Sequence, residues 1–112
     1  MTTARPLGEF EQLVLLAILR LQADAHGVGI GRALEADAGR SVSRGALYTT
    51  LDRLESKGLV RWRLATGGEE RARLPRRVYA VTARGLAAIR SSHRAFARMS
   101  RGLASILKDS GA

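Results

Sequence analysis

Two groups of side chains in this sequence of 112 residues have the chemistry to contact phosphates and the edges of nucleic-acid bases. The first group lies in one short segment and combines hydroxyls, guanidinium groups, an aromatic ring and a glycine. Its members are Ser43, Arg44, Gly45, Tyr48, Thr49 and Arg53. On a helix that enters a major groove, side chains of these types contact phosphates and base edges. The alternative is an ordinary solvated helix face, for which tyrosine and glycine are poor choices.

The second group is a cluster of arginines at a loop that also contains paired glycines and paired glutamates. Its members are Arg71, Arg73, Arg76 and Arg77. On a β-hairpin, such arginines can lie along the DNA backbone or enter a narrow minor groove. The alternative is a solvated loop whose charges only keep the protein soluble.

The first group requires a helix with one buried face, and the local sequence predicts one. Leu47, Leu51 and Leu54 recur at helical spacing on the side opposite the candidate residues. Ser43 is a suitable N-cap, and Lys57-Gly58 supplies a cation and then a glycine at the C-terminal end.

Two further helices precede this one. An apolar stripe at helical period predicts the first over Leu7–Gln22, and a second follows over Val28–Ala38 and ends at Gly39. The first helix also carries Leu15 and Leu19 on its other side. Because a helix that is apolar nearly all round is buried on more than one face, we expect these leucines to contact a partner subunit.

Two strands follow the third helix. Apolar residues alternate with arginines over Leu59–Leu64, and Arg77–Thr82 predicts a second strand after the basic loop. Three helices followed by a two-stranded ribbon is the order of a winged helix-turn-helix. The predicted fold class is therefore mainly α with a small β-hairpin, followed by a C-terminal dimerisation helix.

A long final helix is predicted over Ala83–Lys108, with Thr82 as its cap. It carries a seam at spacings of three and four, namely Leu86, Ile89, His93, Phe96, Ser100, Leu103 and Leu107. At 1.5 Å per residue such a helix is roughly 39 Å long, which is more than a small domain can cover. We therefore expect residues 1–82 to form a nucleic-acid-binding domain and residues 83–112 to form a dimerisation helix. The predicted dimer interface comprises Leu15, Leu19, Leu86, Ile89, His93, Phe96, Leu103 and Leu107.

The charge distribution favours a polyanionic partner. The net charge is +9, and residues 1–39 carry three cations against five carboxylates, whereas residues 40–112 carry sixteen against five. An acidic first third and a basic remainder indicate one face suited to nucleic acid. The alternative is a general bias toward arginine, since Lys57 and Lys108 are the only lysines.

Other classes of protein are disfavoured by what the sequence lacks. It contains no cysteine, which excludes disulfides and thiolate chemistry and fits a reducing cytoplasm. We find no signal peptide, no stretch long enough to span a membrane and no phosphate-binding glycine loop. The two histidines, His26 and His93, have no cysteine partners that could complete a metal site. The paired carboxylates Glu69-Glu70 have no positioned nucleophile or base near them. We therefore expect no enzyme activity, no catalytic residue, no metal and no cofactor. We also expect the protein to be cytoplasmic and to have no membrane partner.

Four segments resemble the PadR family of transcriptional regulators. They are Leu7–Leu19, His26-Gly27, Val42–Val60 and Val78–Gly85, and the resemblance covers about residues 7–90. It implies a winged helix, a C-terminal helix that dimerises, and repression of nearby genes. Several relatives release DNA when a small aromatic ligand binds, and those that stack flat drugs carry a tryptophan on the last helix. Here the only aromatic residue of that helix is Phe96, so a small-molecule effector is possible but has no support in the sequence.

The leading hypothesis is a homodimeric repressor that binds double-stranded DNA at an inverted-repeat operator. The alternative is a winged-helix module that binds protein, which predicts a neutral or apolar outer face on the third helix. The basic and polar residues at that face favour DNA.

Overall fold

The computed structural model describes residues 7–65 and 75–108. Three helices, two strands and two further helices follow one another in chain order. Their bounds are α1 Glu9–Leu21, α2 Gly27–Ala38, α3 Arg44–Ser56, β1 Val60–Ala65, β2 Arg76–Val81, α4 Ala83–Ser100 and α5 Ala104–Leu107. A 3₁₀ turn, Gln22–Asp24, follows α1 directly. The predicted fold class, mainly α with a small hairpin in winged-helix order, is confirmed.

Side-chain caps fix the ends of the helices that matter most for the site. The Ser43 hydroxyl accepts a hydrogen bond from the Ala46 N–H at 3.1 Å, which starts α3 as predicted. The Thr82 hydroxyl accepts one from the Gly85 N–H at 3.0 Å and starts α4. Gly39 has a φ of +65°, a left-handed conformation that ends α2 without the steric cost of a side chain.

The core lies where α1, α2 and α3 meet and is closed by β2. Val14 and Ile18 of α1 pack there with Ile30 of α2 and Leu51 of α3, and all four are buried. Tyr79 of β2 is the largest fully buried side chain. The apolar side of α3 is thus buried in the core, whereas most residues on its other side remain exposed.

Leu15, a predicted interface residue, is instead buried within the protomer. Its side chain is 0% exposed, so it offers no surface to a partner. The reason is that α1 packs against α2, α3, α4 and β2, so its second apolar side is largely covered within the protomer. Leu19 and its neighbour Leu16 remain 38% exposed on the same helix.

The hairpin is anchored to the helices at its base. Val60 pairs with Val81 and Trp62 with Tyr79 in an antiparallel register. The outer edge of β2 continues onto the segment before α2, where the Tyr79 N–H donates to the Ala25 carbonyl at 2.8 Å. A Cβ at Gly85 would lie 2.1 Å from the Leu59 carbonyl oxygen, so α4 begins in direct contact with the start of β1.

The C-terminal helix is shorter than predicted. Instead of one helix over Ala83–Lys108, α4 ends at Ser100, and α5 follows after a turn. Gly102 in this turn has a φ of +82°, a conformation that cannot continue an α-helix. The apolar repeat continues through the break, so the pattern alone does not reveal it.

The predicted seam is therefore divided between two environments. Ile89 is buried in the protomer's own core, which leaves it little surface for a partner, whereas Leu86 is only half-buried beside it. Phe96, Leu103 and Leu107 remain exposed. None of the helices in the described ranges is long and apolar enough to cross a membrane.

Candidate nucleic-acid interface

Helix α3 presents one apolar face to the core and one polar face to the outside. Leu47, Leu51 and Leu54 are buried, as their spacing predicts. Ser43, Arg44, Gly45, Thr49 and Arg53 are all exposed. The structure thus leaves five of the six candidate residues exposed, with the N–H groups of Arg44 and Gly45 at the first turn of the helix.

Tyr48 is the exception on this helix because it is half-buried. Its hydroxyl fills the space above Gly27, where a Cβ would lie only 1.9 Å from the Tyr48 oxygen. Tyr48 therefore packs on the first turn of α2 and helps to fix the angle between α2 and α3. A shallow groove of about 150 Å³ beside this contact is lined by Val28, Arg44 and Tyr48 among others, so part of the ring is accessible.

Arg53 lies at the far end of α3, beside a buried carboxylate that the sequence patterns do not single out. Its guanidinium is 4.0 Å from a carboxylate oxygen of Glu11 on α1, which also accepts a hydrogen bond from the Lys57 ammonium at 2.7 Å. Burial alone would raise the pKa of Glu11, but the hydrogen bonds from Lys57 and Gly8 and the nearby positive charges lower it overall. Arg53 is thus partly engaged with the protein itself.

The second predicted group is only partly described. Arg76 and Arg77 are exposed on β2, whereas Arg71 and Arg73 lie outside the described residues. The Arg77 guanidinium lies 4.1 Å from the centroid of the Trp62 ring and 3.9 Å from the Asp52 carboxylate on α3. This cation therefore connects the hairpin to α3 and is held in place by both.

Arg61 and Arg63 of β1 also belong to the basic surface, although only their alternation was visible in the sequence. Both are exposed, and they pair across the hairpin with Ala80 and Val78. In this register they share one face with Arg76, opposite the face that carries Trp62 and Arg77. The hairpin thus presents cations on both of its faces.

The segment that supports the hairpin contains a histidine that caps α2. The Nδ1 atom of His26 accepts a hydrogen bond from the Gly29 N–H at 3.3 Å and caps α2. Burial, and next the positive charge of Arg76, lower the pKa of His26, which favours the neutral ring that this bond requires. Within residues 7–65 and 75–108, no cluster of three or more acidic or histidine side chains is placed to hold a metal ion.

Comparisons with known proteins agree with this geometry. Residues 15–91, from α1 through the first half of α4, match the model of the transcriptional regulator PadR-like family. No curated protein gives a significant match. Among solved structures, a PadR family transcriptional regulator from Eggerthella lenta DSM 2243 is 29% identical with a TM-score of 0.65, covering 89% of this chain and 87% of that one.

Two other solved structures are similar. A complex structure of hsRosR-S4 is 27% identical with a TM-score of 0.66, covering 88% of this chain and 77% of that one. A PadR-like transcriptional regulator from Bacillus cereus strain ATCC 14579 is 20% identical with a TM-score of 0.70, covering 89% and 92%, and this likeness concerns the fold alone. The regulators of the matched family are non-enzymatic transcription factors. Because the family model covers most of the chain, including all of α3 and both hairpin strands, the protein belongs to the PadR-like family and is a DNA-binding transcriptional regulator.

Proposed function

We propose that this protein is a homodimeric repressor that binds an inverted-repeat operator, with α3 in the major groove and the hairpin along the backbone. The observation that carries the proposal is the two-sided character of α3. Its apolar side is buried in the core, while Ser43, Arg44, Gly45 and Thr49 are exposed around its N-terminal end. A helix held in this way can enter a groove without unpacking the domain.

The candidate residues divide into two roles in this proposal. Arg44 and Thr49 contact base edges, since they lie on the exposed face near the helix end that enters the groove. Arg76, and with it the undescribed Arg71 and Arg73, contacts phosphates without sequence preference. Arg77 stacks on Trp62 within the hairpin and lies 3.9 Å from Asp52 of α3, so it also helps to orient the hairpin relative to α3.

A second copy of the chain is proposed to cover the apolar surface of α4 and α5. Phe96 is 70% exposed, Met99 79% and Ile106 75%, and Leu103 and Leu107 lie exposed in the same region. Burial of side chains of this size stabilises an assembly by about 1.5–3 kcal/mol each. Leu19 and His93 are the other exposed residues of the predicted interface, Leu86 is half-buried, and Leu16 adjoins Leu19 and His93. In this arrangement residues 1–82 bind DNA and residues 83–112 hold the two domains together.

The test selects tight-binding duplexes from a random pool and compares them with scrambled duplexes of the same composition. Arg44→Ala should weaken binding to the selected duplex by about 1–3 kcal/mol and to the scrambled duplex by less. Arg76→Ala should weaken both duplexes alike. Arg20→Gln, which removes an exposed arginine on α1, serves as a control and should change neither by much.

The outcome that would contradict the proposal is equal loss on both duplexes from Arg44→Ala and Arg76→Ala. In that case α3 would contact only the backbone, and the sequence preference would come from elsewhere.

A further inference from the structure

Glu11 is a buried carboxylate that joins two helices with different proposed roles. It lies on the first turn of α1 and is 6% exposed. One of its oxygens accepts a hydrogen bond from the Gly8 N–H at 3.0 Å, and the other accepts one from the Lys57 ammonium at 2.7 Å. Lys57 is the C-cap residue of α3. A single side chain thus caps the start of α1 and holds the end of α3.

The contact has the character of a fixed ionic link. Glu11 lies at the centre, with Lys57 and Arg53 on the last turn of α3 directed toward the same oxygen. A buried carboxylate that loses such partners is left with an uncompensated charge, which strongly penalises other arrangements of the two helices. The link spans 46 residues of sequence, so it restrains tertiary structure and not only one helix.

Because the link lies at one end of α3, a small tilt there displaces the opposite end of the helix. The helix has 13 residues and is therefore roughly 20 Å long, and Arg44 lies at the end away from Lys57. A tilt of about 3° at one end of such a helix moves the other end by about 1 Å. Hydrogen bonds to base edges tolerate only a few tenths of an ångström, whereas contacts to phosphates depend mainly on charge.

We propose that Glu11 is a positioning residue for sequence recognition, which fixes the orientation of α3 relative to α1 through Lys57 and Arg53 without touching DNA. The inference rests on the proposed function of α3 as the helix that enters the groove. Since α1 also carries Leu16 and Leu19 of the proposed subunit interface, the same link joins that interface to the C-terminal end of α3, whose opposite end contacts bases in the proposed function.

The experiment measures the ratio of affinities for the selected and scrambled duplexes. Glu11→Gln keeps an oxygen for the Gly8 N–H but removes the charge, and Lys57→Met keeps the aliphatic stem but removes the ammonium. Each should lower the ratio roughly 3- to 30-fold, mainly through weaker binding to the selected duplex. The double variant should lose no more than either single variant, because the two groups act as a pair. Lys57→Arg should retain the ratio, since a guanidinium can also donate to the carboxylate.

Glu55→Gln is the matched control because it removes an exposed carboxylate from the same end of α3. It changes the net charge as Glu11→Gln does and should leave the ratio unchanged. Circular dichroism at the assay temperature verifies folding, and if Glu11→Gln does not fold, the contrast between Lys57→Met and Lys57→Arg decides the matter. An unchanged ratio in Lys57→Met, or an equal loss in Glu55→Gln, overturns the inference while leaving the proposed function intact. If the unsubstituted protein selects no duplex at all, the proposed function fails and this inference fails with it.

Discussion

The contact between Tyr48 and Gly27 allows a sharp prediction about the packing of α2 against α3. A Cβ at Gly27 would lie 1.9 Å from the Tyr48 hydroxyl oxygen and 2.7 Å from its Cζ, whereas ordinary contact begins at 3.4 Å. Gly27→Ala therefore requires the hydroxyl to retreat by about 1.5 Å, and overpacking of this kind costs about 1–3 kcal/mol. Gly27 is the first residue of α2, where the gain in helix propensity from alanine is small.

Gly31 in the middle of the same helix provides the control. A Cβ there would lie 3.9 Å from a Leu47 methyl carbon, which is ordinary contact. Gly31→Ala should therefore stabilise the protein by about 0.5–1 kcal/mol, because alanine loses less backbone entropy in a helix. The two alanine substitutions are chemically identical, yet the predicted changes in the free energy of unfolding have opposite signs.

Urea unfolding at a fixed protein concentration measures both effects, with circular dichroism as the signal. Tyr48→Phe removes the nearest atom and should recover part of the loss in Gly27→Ala, and Tyr48→Ala should recover more. Gly27→Ala should also weaken binding to the selected duplex, since a displaced Tyr48 changes the angle between α2 and α3. If Gly27→Ala is as stable as Gly31→Ala, the contact between Tyr48 and Gly27 does not restrain the two helices.

Phe96→Glu should convert the proposed dimer to monomers in light scattering, because it places a charge in an apolar surface, whereas Ser91→Glu at an exposed position should not. Gly45→Ala should raise the free energy of unfolding by up to about 1 kcal/mol, since its Cβ would meet nothing within 4 Å, yet it should weaken DNA binding if the backbone of α3 approaches the groove closely. Glu11 stabilises the fold above its ordinary pKa of 4.5, and because its pKa is lowered in the folded protein, that contribution should disappear as the pH falls further. Urea unfolding at a series of acidic pH values should show that the free energy of unfolding falls less with pH in Glu11→Gln than in the unsubstituted protein. The same pH dependence in both proteins would contradict the role of Glu11.

Much of the fold could be predicted because its signals are local. Ser43 and Thr82 cap helices through contacts three residues away, and the alternation around Trp62 is a property of one strand. The exposed face of α3 follows from the spacing of its leucines. These features depend on neighbours in sequence, so the sequence alone was sufficient for them.

The features that could not be predicted depend on how separate elements meet. Tyr48 and Thr49 are adjacent on α3, and only the packing of α2 decides that the tyrosine turns inward. Leu15 is buried because four elements surround α1, and Glu11 meets Lys57 across 46 residues. The break after Ser100 was hidden because the apolar repeat continues past Gly102. Long-range packing and the conformation of Gly102 thus account for most of the differences between the predicted and the observed structure.

In the proposed repressor, two copies of α3 bind DNA as a rigid, symmetric pair. Half-sites in the selected duplex should then be inverted and their centres about 10 base pairs apart, or a multiple of that, so that both major grooves face the same side. The most direct measurement is the affinity for a duplex whose half-sites are moved apart by about 5 base pairs, half a helical turn. Most of the specific affinity should be lost at this spacing and recovered when the shift is a full turn. Retention of affinity at the half-turn spacing would contradict it.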